Sequence, residues 1–202
     1  MIRTFLAVEL ADPLRMALSR LQLDLKQRLA REISKDARLS WVQPASIHLT
    51  VKFLGDVDEQ SVAPMREAIG RAVASHRAIN VPLERLGVFP RLQQPRVLWV
   101  GPSDTWEAGE AAQRLASLHR AVDDCCVALN LAPDTRPLSP HLTVARIKEG
   151  ERSVGQALAG SGVMDRPLAL DPLVIGSIVL MKSDLKPTGS VYTKIWEVKV
   201  GV

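Results

Sequence analysis

The chain has 202 residues, 47% of them apolar and 24% charged, the balance of a soluble globular protein. No apolar run reaches the roughly eighteen residues that a membrane helix needs, so no membrane association is expected. Lys and Arg exceed Asp and Glu by 26 − 22 = 4, a mild excess that suits a polyanionic partner such as nucleic acid without requiring one.

The opening stretch, Arg3 to Glu9, is rich in strand formers and has acids at Glu9 and Asp12. It reads as a first strand rather than a signal peptide. Asp12 and Pro13 then open a helix with Leu14, Leu18, Leu21, Leu25 and Leu29 on its apolar side. Trp41 and Val42 are strand-like, Pro44 interrupts, and Ile47 to Leu54 is a strand ended by the turn GDVD. A second helix is predicted over Ser61 to Ser75, with Pro64 in its first turn. Strands follow over Val81 to Phe89 and Arg96 to Gly101, and a long helix over Asp104 to Asn130. That helix carries Cys125 and Cys126, adjacent cysteines expected to be small packing residues in a reducing, cytoplasmic setting. A proline-bearing loop leads to a strand at Leu142. A short helix over Arg152 to Ala159 follows. Two strands, Leu173 to Ser183 and Val191 to Val200, close the chain around the turn LKPTG. The order favours an α+β fold with antiparallel sheets, though β-α-β succession alone leaves a doubly wound parallel sheet open.

One phrase occurs twice. SIHLTVKFLG begins at Ser46 and SPHLTVARIK at Ser139, and both contain His-Leu-Thr-Val, with the histidines 141 − 48 = 93 residues apart. The chain has only four histidines, and two sit in these matched settings. Residues two apart on a strand share a face, so His48 and Thr50 stand together, about 7 Å apart, as do His141 and Thr143. The same alternation puts Ile47, Leu49, Val51 and Phe53 on an apolar face, and gives Lys52, a rim charge, the parity of His48. Two such strands across a groove suit in-line displacement at phosphorus. One histidine deprotonates the attacking water and the other protonates the departing oxygen. Thr50 and Thr143 donate to the non-bridging oxygens. No metal or other cofactor is expected, since a catalytic zinc would need a third ligand. His76 and His119 read as solvent-facing or packing residues. The aromatic content is low at 4%, so no base-stacking platform is evident; Phe5 reads as core.

The paired motifs, with RTFLAVEL, FPRLQQPRVLWVG and LMKSDLKPTGSVYTKIWEV in order along the chain, resemble the 2H phosphoesterase superfamily. The likeness is greatest to its RNA 2′,3′-cyclic phosphodiesterases, also called 2′-5′ RNA ligases. The resemblance implies a bilobed, duplicated α+β fold, with two antiparallel sheets, outer helices and a central cleft. It implies a single domain over residues 1–202, made of two pseudo-symmetric lobes. It also implies metal-independent hydrolysis of RNA 2′,3′-cyclic phosphate ends to 2′-phosphomonoesters, with His48 as proton donor and His141 as proton acceptor. The residues alone do not order that pair. A reverse 2′-5′ joining reaction, with a ribose hydroxyl in place of water, is implied as a side reaction. So is a phosphate contact from Arg146, which simple alternation places on the face opposite His141 unless the strand bulges. The expected partner is RNA with a cyclic phosphate end. No protein partner is expected, and the chain is expected to act as a monomer. A small cyclic nucleotide, or an ADP-ribose cyclic phosphate, is the alternative substrate, and a non-catalytic RNA-binding module the alternative class.

Overall fold

The computed structural model describes residues 1–186 and 189–201. In chain order the elements are β1 (Ile2–Glu9), α1 (Asp12–Leu29), β2 (Arg38–Trp41), β3 (His48–Val57), α2 (Val62–Val73), β4 (Ile79–Val81), β5 (Arg85–Phe89) and β6 (Val97–Gly101). There follow α3 (Asp104–Glu107), α4 (Glu110–Ala128), β7 (Leu142–Glu149), α5 (Glu151–Gly160), β8 (Leu173–Ile175), β9 (Ser177–Lys186) and β10 (Gly189–Lys199). One sheet runs β10-β9-β1-β3 and a second runs β2-β7-β6-β5, while β4 and β8 form a two-stranded ribbon. Every pairing among the described strands is antiparallel, so the fold is α+β and the doubly wound alternative falls. The two halves of the chain interleave. Strand β2, from the first half, lies beside β7 in the second sheet.

Both sheets share one large apolar core with the helices. Helix α1 buries Leu14, Leu18, Leu25 and Leu29, each worth about 1.5–3 kcal/mol relative to exposure. The fifth buried position is Gln22 rather than Leu21. Its amide nitrogen donates to the carbonyls of Val42 and Val144, both at 2.8 Å, so the polar group is satisfied inside the core. A smaller cluster of Phe5, Ala7, Val179 and Met181 lies on the other face of the first sheet, with Tyr192 packed against it.

Three predicted elements divide. The helix expected over Asp104 to Asn130 breaks at Gly109, which caps α4 in an extended conformation, while the Ser103 hydroxyl accepts from the Trp106 amide to cap α3. The strand expected over Val81 to Phe89 splits because β4 pairs with β8 whereas β5 pairs with β6. The strand expected over Leu173 to Ser183 changes sheet at Gly176, between β8 and β9. In α1 the cap is Ala11, and Asp12 is the first helical residue. Of the predicted turn LKPTG, residues 187 and 188 lie outside the described residues; Lys186 pairs with Gly189 on either side.

Candidate active site

Each HLTV copy reaches its strand from a short rigid approach. A single 3-10 turn, Pro44–Ser46, precedes β3, and Pro140 precedes β7. In both copies the imidazole Nδ1 lies 2.8 Å from the carbonyl two residues back, Ser46 for His48 and Ser139 for His141. A carbonyl only accepts, so the neutral ring carries its proton on Nδ1. Nε2 is then the free site, an acceptor in the neutral ring and a donor in the charged one. The same local bond orients both histidines identically.

The aromatic residues gather here. Phe5 lies 4.8 Å from the His48 ring and Tyr192 meets it edge-on at 5.3 Å. Phe89 meets the His141 ring edge-on at 5.0 Å, with Trp99 at 6.2 Å. A Cβ on Gly87 would stand 2.1 Å from the Trp99 ring, so only glycine lets that indole lie across β5 behind His141. Phe53 stands 6.2 Å from Phe5. All three phenylalanines and the single tyrosine therefore surround the two motifs, which a low total content does not reveal.

Both motif strands bulge at the same place. In β3 the partners step from Ala7↔Thr50 to Leu6↔Lys52, leaving Val51 as the extra residue. In β7 they step from Trp99↔Thr143 to Leu98↔Ala145, leaving Val144 extra. A bulge resets the alternation by one residue. Val51 and Lys52 both turn inward, as do Val144 and Ala145, and the fifth residue after each histidine returns to the cleft. Arg146 thus shares the face of His141 and Thr143, the condition that its proposed contact required. The same bulge corrects two expectations in β3. Phe53 is 72% exposed in the cleft rather than part of the apolar face, and Lys52 is 2% exposed in the interior rather than a rim charge. The duplication carried that signal, because Phe53 and Arg146 occupy equivalent positions.

His48, Thr50, His141, Thr143 and Arg146 all line one cavity of about 460 Å³, together with Arg3, Phe53 and Tyr192. Sequence reasoning did not single out Arg3, Phe53, Phe89 or Trp99. Burial is the main cause that lowers the pKa of both histidines below 6.5, opposed by the backbone bond from Nδ1. The Arg146 guanidinium lowers both further, and the His141 charge adds to this at His48. With both values below 6.5, the neutral ring is the predominant form of each at pH 7. Among the described residues no three His, Cys, Asp or Glu side chains gather in a metal-binding group. His119 is buried against Asp134, and His76 follows α2 rather than lying within it. Both cysteines are free, with Cys126 fully buried and its thiol pushed up to about 12 by desolvation. No described helix is long and apolar enough to cross a membrane.

Comparison with known proteins finds relatives along nearly the whole chain. Residues 8–99 match the LigT-like phosphoesterase family. The chain is 30% identical to an RNA 2′,3′-cyclic phosphodiesterase of Methanothermobacter thermautotrophicus over 95% of both chains. It is 31% identical to one of Thermus thermophilus over 95% of this chain and 87% of that one. Among solved structures, a protein of Thermus thermophilus superposes with a TM-score of 0.69 at 25% identity, covering 98% of both chains. E. coli LigT bound to 3′-AMP superposes with a TM-score of 0.68 at 20% identity over the same share, a likeness of fold.

Proposed function

The chain belongs to the LigT-like phosphoesterase family, and from that premise we propose that it hydrolyses RNA 2′,3′-cyclic phosphate ends to 2′-phosphomonoesters by two-histidine acid/base catalysis. The observation that carries this reading is the pair of equivalent His/Thr constellations lining one cavity, each imidazole held by Nδ1 so that Nε2 is the working nitrogen. His141 Nε2 takes a proton from water as the water oxygen attacks phosphorus. The P–O3′ bond breaks, and His48 Nε2 gives its proton to O3′, so the phosphate stays on O2′. Thr50 and Thr143 donate to the non-bridging oxygens as charge builds up, and Arg146 offsets that charge.

The lowered pKa values fit these roles. A neutral His141 is ready to act as base. His48 must be protonated, and an incoming phosphate monoanion counters the Arg146 charge that disfavours this. The reaction routes no step through a metal, and the likeness to RNA 2′,3′-cyclic phosphodiesterases supports the same substrate class. With a ribose hydroxyl replacing water, the same groups would form a 2′-5′ bond, a side reaction of the same site.

The test is an oligonucleotide with a 2′,3′-cyclic phosphate end, incubated with the purified protein in EDTA. The expected product carries a 2′-phosphate. A 3′-phosphate, or activity lost to EDTA and regained with zinc, contradicts the reading. Turnover confined to mononucleotide cyclic phosphates or ADP-ribose cyclic phosphate would change the substrate and keep the chemistry.

A further inference from the structure

Beneath the cleft lies a charged cluster that the proposed chemistry does not use. Lys52 follows the bulged Val51, and its side chain, 1% exposed, turns into the interior. Its Nζ stands 2.5 Å from Asp123 Oδ1 on α4 and 3.2 Å from Asp134 Oδ1 in the loop between α4 and β7. The other Asp134 oxygen lies 3.0 Å from His119 Nε2, and the Asp134 amide donates to the Asp123 carboxylate. Desolvation opposes the ammonium charge, but the two carboxylates together outweigh it and hold Lys52 protonated. The equivalent residue in β7 is Ala145, fully buried. A small apolar residue therefore satisfies the bulge itself, and the buried charge answers to something else. Buried ion pairs are often no more stabilising than apolar replacements, and geometric specification is their best-attested use.

The loop supplies that geometry. Asp134 stands 141 − 134 = 7 residues before His141. The loop start is fixed where the Leu131 amide donates to the Cys126 carbonyl, and Pro133, Pro137 and Pro140 restrict the rest. On the other side, Lys52 is four residues from His48 and two from Thr50 in one continuous strand. We infer that Lys52 is a positioning residue, whose ion pair with Asp134 fixes the loop that delivers His141 and so sets its placement relative to His48. Gln22 of α1 is its counterpart under the second motif, bonding the Val144 carbonyl at the β7 bulge. Each motif strand is thus gripped from behind by a helix or loop from the other half of the chain. The inference rests on the acid/base reading of the two histidines.

The test compares Lys52→Met and Asp134→Ala with the unaltered protein on a 2′,3′-cyclic mononucleotide, well below the unfolding transition. Turnover and the imidazole ¹⁵N shifts of His48 and His141 are both recorded. Misplacement of one member of the pair predicts kcat down about 10- to 100-fold, KM within about twofold, and a displaced His141 resonance in both variants. Unchanged kcat in a folded variant overturns the inference, as does a loss that follows the unfolded fraction and disappears on cooling. If Lys52→Met does not fold, Asp134→Ala decides alone, since its carboxylate is 31% exposed and its loss leaves Asp123 to pair Lys52. If the unaltered protein turns over no cyclic phosphate, the acid/base reading fails and the His141 resonance judges Lys52. An unmoved resonance then overturns the inference.

Discussion

Strands β3 and β7 are two versions of one device. Both carry the His-Leu-Thr-Val phrase at their start, β3 from the histidine and β7 from the leucine after it, both turn the histidine Nδ1 onto a serine carbonyl at 2.8 Å, and both bulge at the valine. They part company after the bulge. The residue that turns inward is Lys52 in one and Ala145 in the other, and the residue that returns to the cleft is Phe53 in one and Arg146 in the other. The shared half supplies what both ends of a displacement at phosphorus require, a proton carrier and a hydroxyl donor. The divergent half makes the ends different, with an aromatic ring at one and a guanidinium at the other. Symmetric chemistry and asymmetric roles are thus written on adjacent residues.

The largest expected effects break the shared half. His48→Ala and His141→Ala should each lower kcat by about 100- to 10,000-fold. The circular dichroism spectrum should be unaltered, because neither ring is a core residue. Thr50→Val and Thr143→Val should cost about 100-fold each and nearly equally, if the two hydroxyls play equivalent parts. Steady-state kinetics on a cyclic mononucleotide checks both.

The pH profile of kcat/KM tests the divergent half. Activity needs one imidazole neutral and one charged, so it falls as pH drops through the lower apparent pKa of the pair and again as pH rises through the upper. Burial and Arg146 lower both groups, so the maximum should lie below pH 6.5, with about a tenfold fall per pH unit on the alkaline side. Arg146→Ala should move the maximum upward. Linkage gives the matching sign for stability. The unfolded histidines bind protons at pH values where the folded ones do not, so stability decreases as pH falls below 6.5.

The smallest effect is the sharpest about β3. Plain alternation would make Phe53 a core residue, whose truncation costs about 3–5 kcal/mol. At 72% exposure, Phe53→Ala should change unfolding stability by less than about 0.5 kcal/mol in a denaturant titration.

That contrast shows where the sequence was legible. The repeated tetrapeptide pointed to His48, Thr50, His141 and Thr143, because strand parity over three residues survives any later irregularity. Parity across the following residues did not survive, since an extra residue in a ladder is set by the neighbouring strand and leaves no local mark. Phe53 and Lys52 were misplaced for that one reason, and it is why alternation alone set Arg146 opposite His141, whereas the bulge brings it to the cleft. The buried partners Asp123 and Asp134 lie 71 and 82 residues from Lys52, counting 123 − 52 and 134 − 52, beyond the reach of pattern reasoning. Helix α1 shows the same limit on a smaller scale. Its leucine spacing was read correctly at four of five positions, and the fifth is Gln22, whose acceptors are carbonyls brought close only by the fold.

The central claim is that the two histidines serve opposite ends of the displacement, with His48 on the leaving oxygen. A cyclic substrate with sulfur in place of O3′ tests it most directly, because a thiolate leaves without needing a proton. Turnover of this substrate by His48→Ala should recover to within about tenfold of the unaltered protein, while His141→Ala stays as impaired as on the oxygen substrate. Recovery in His141→Ala instead would reverse the assignment, and equal impairment of both variants would contradict the division of labour.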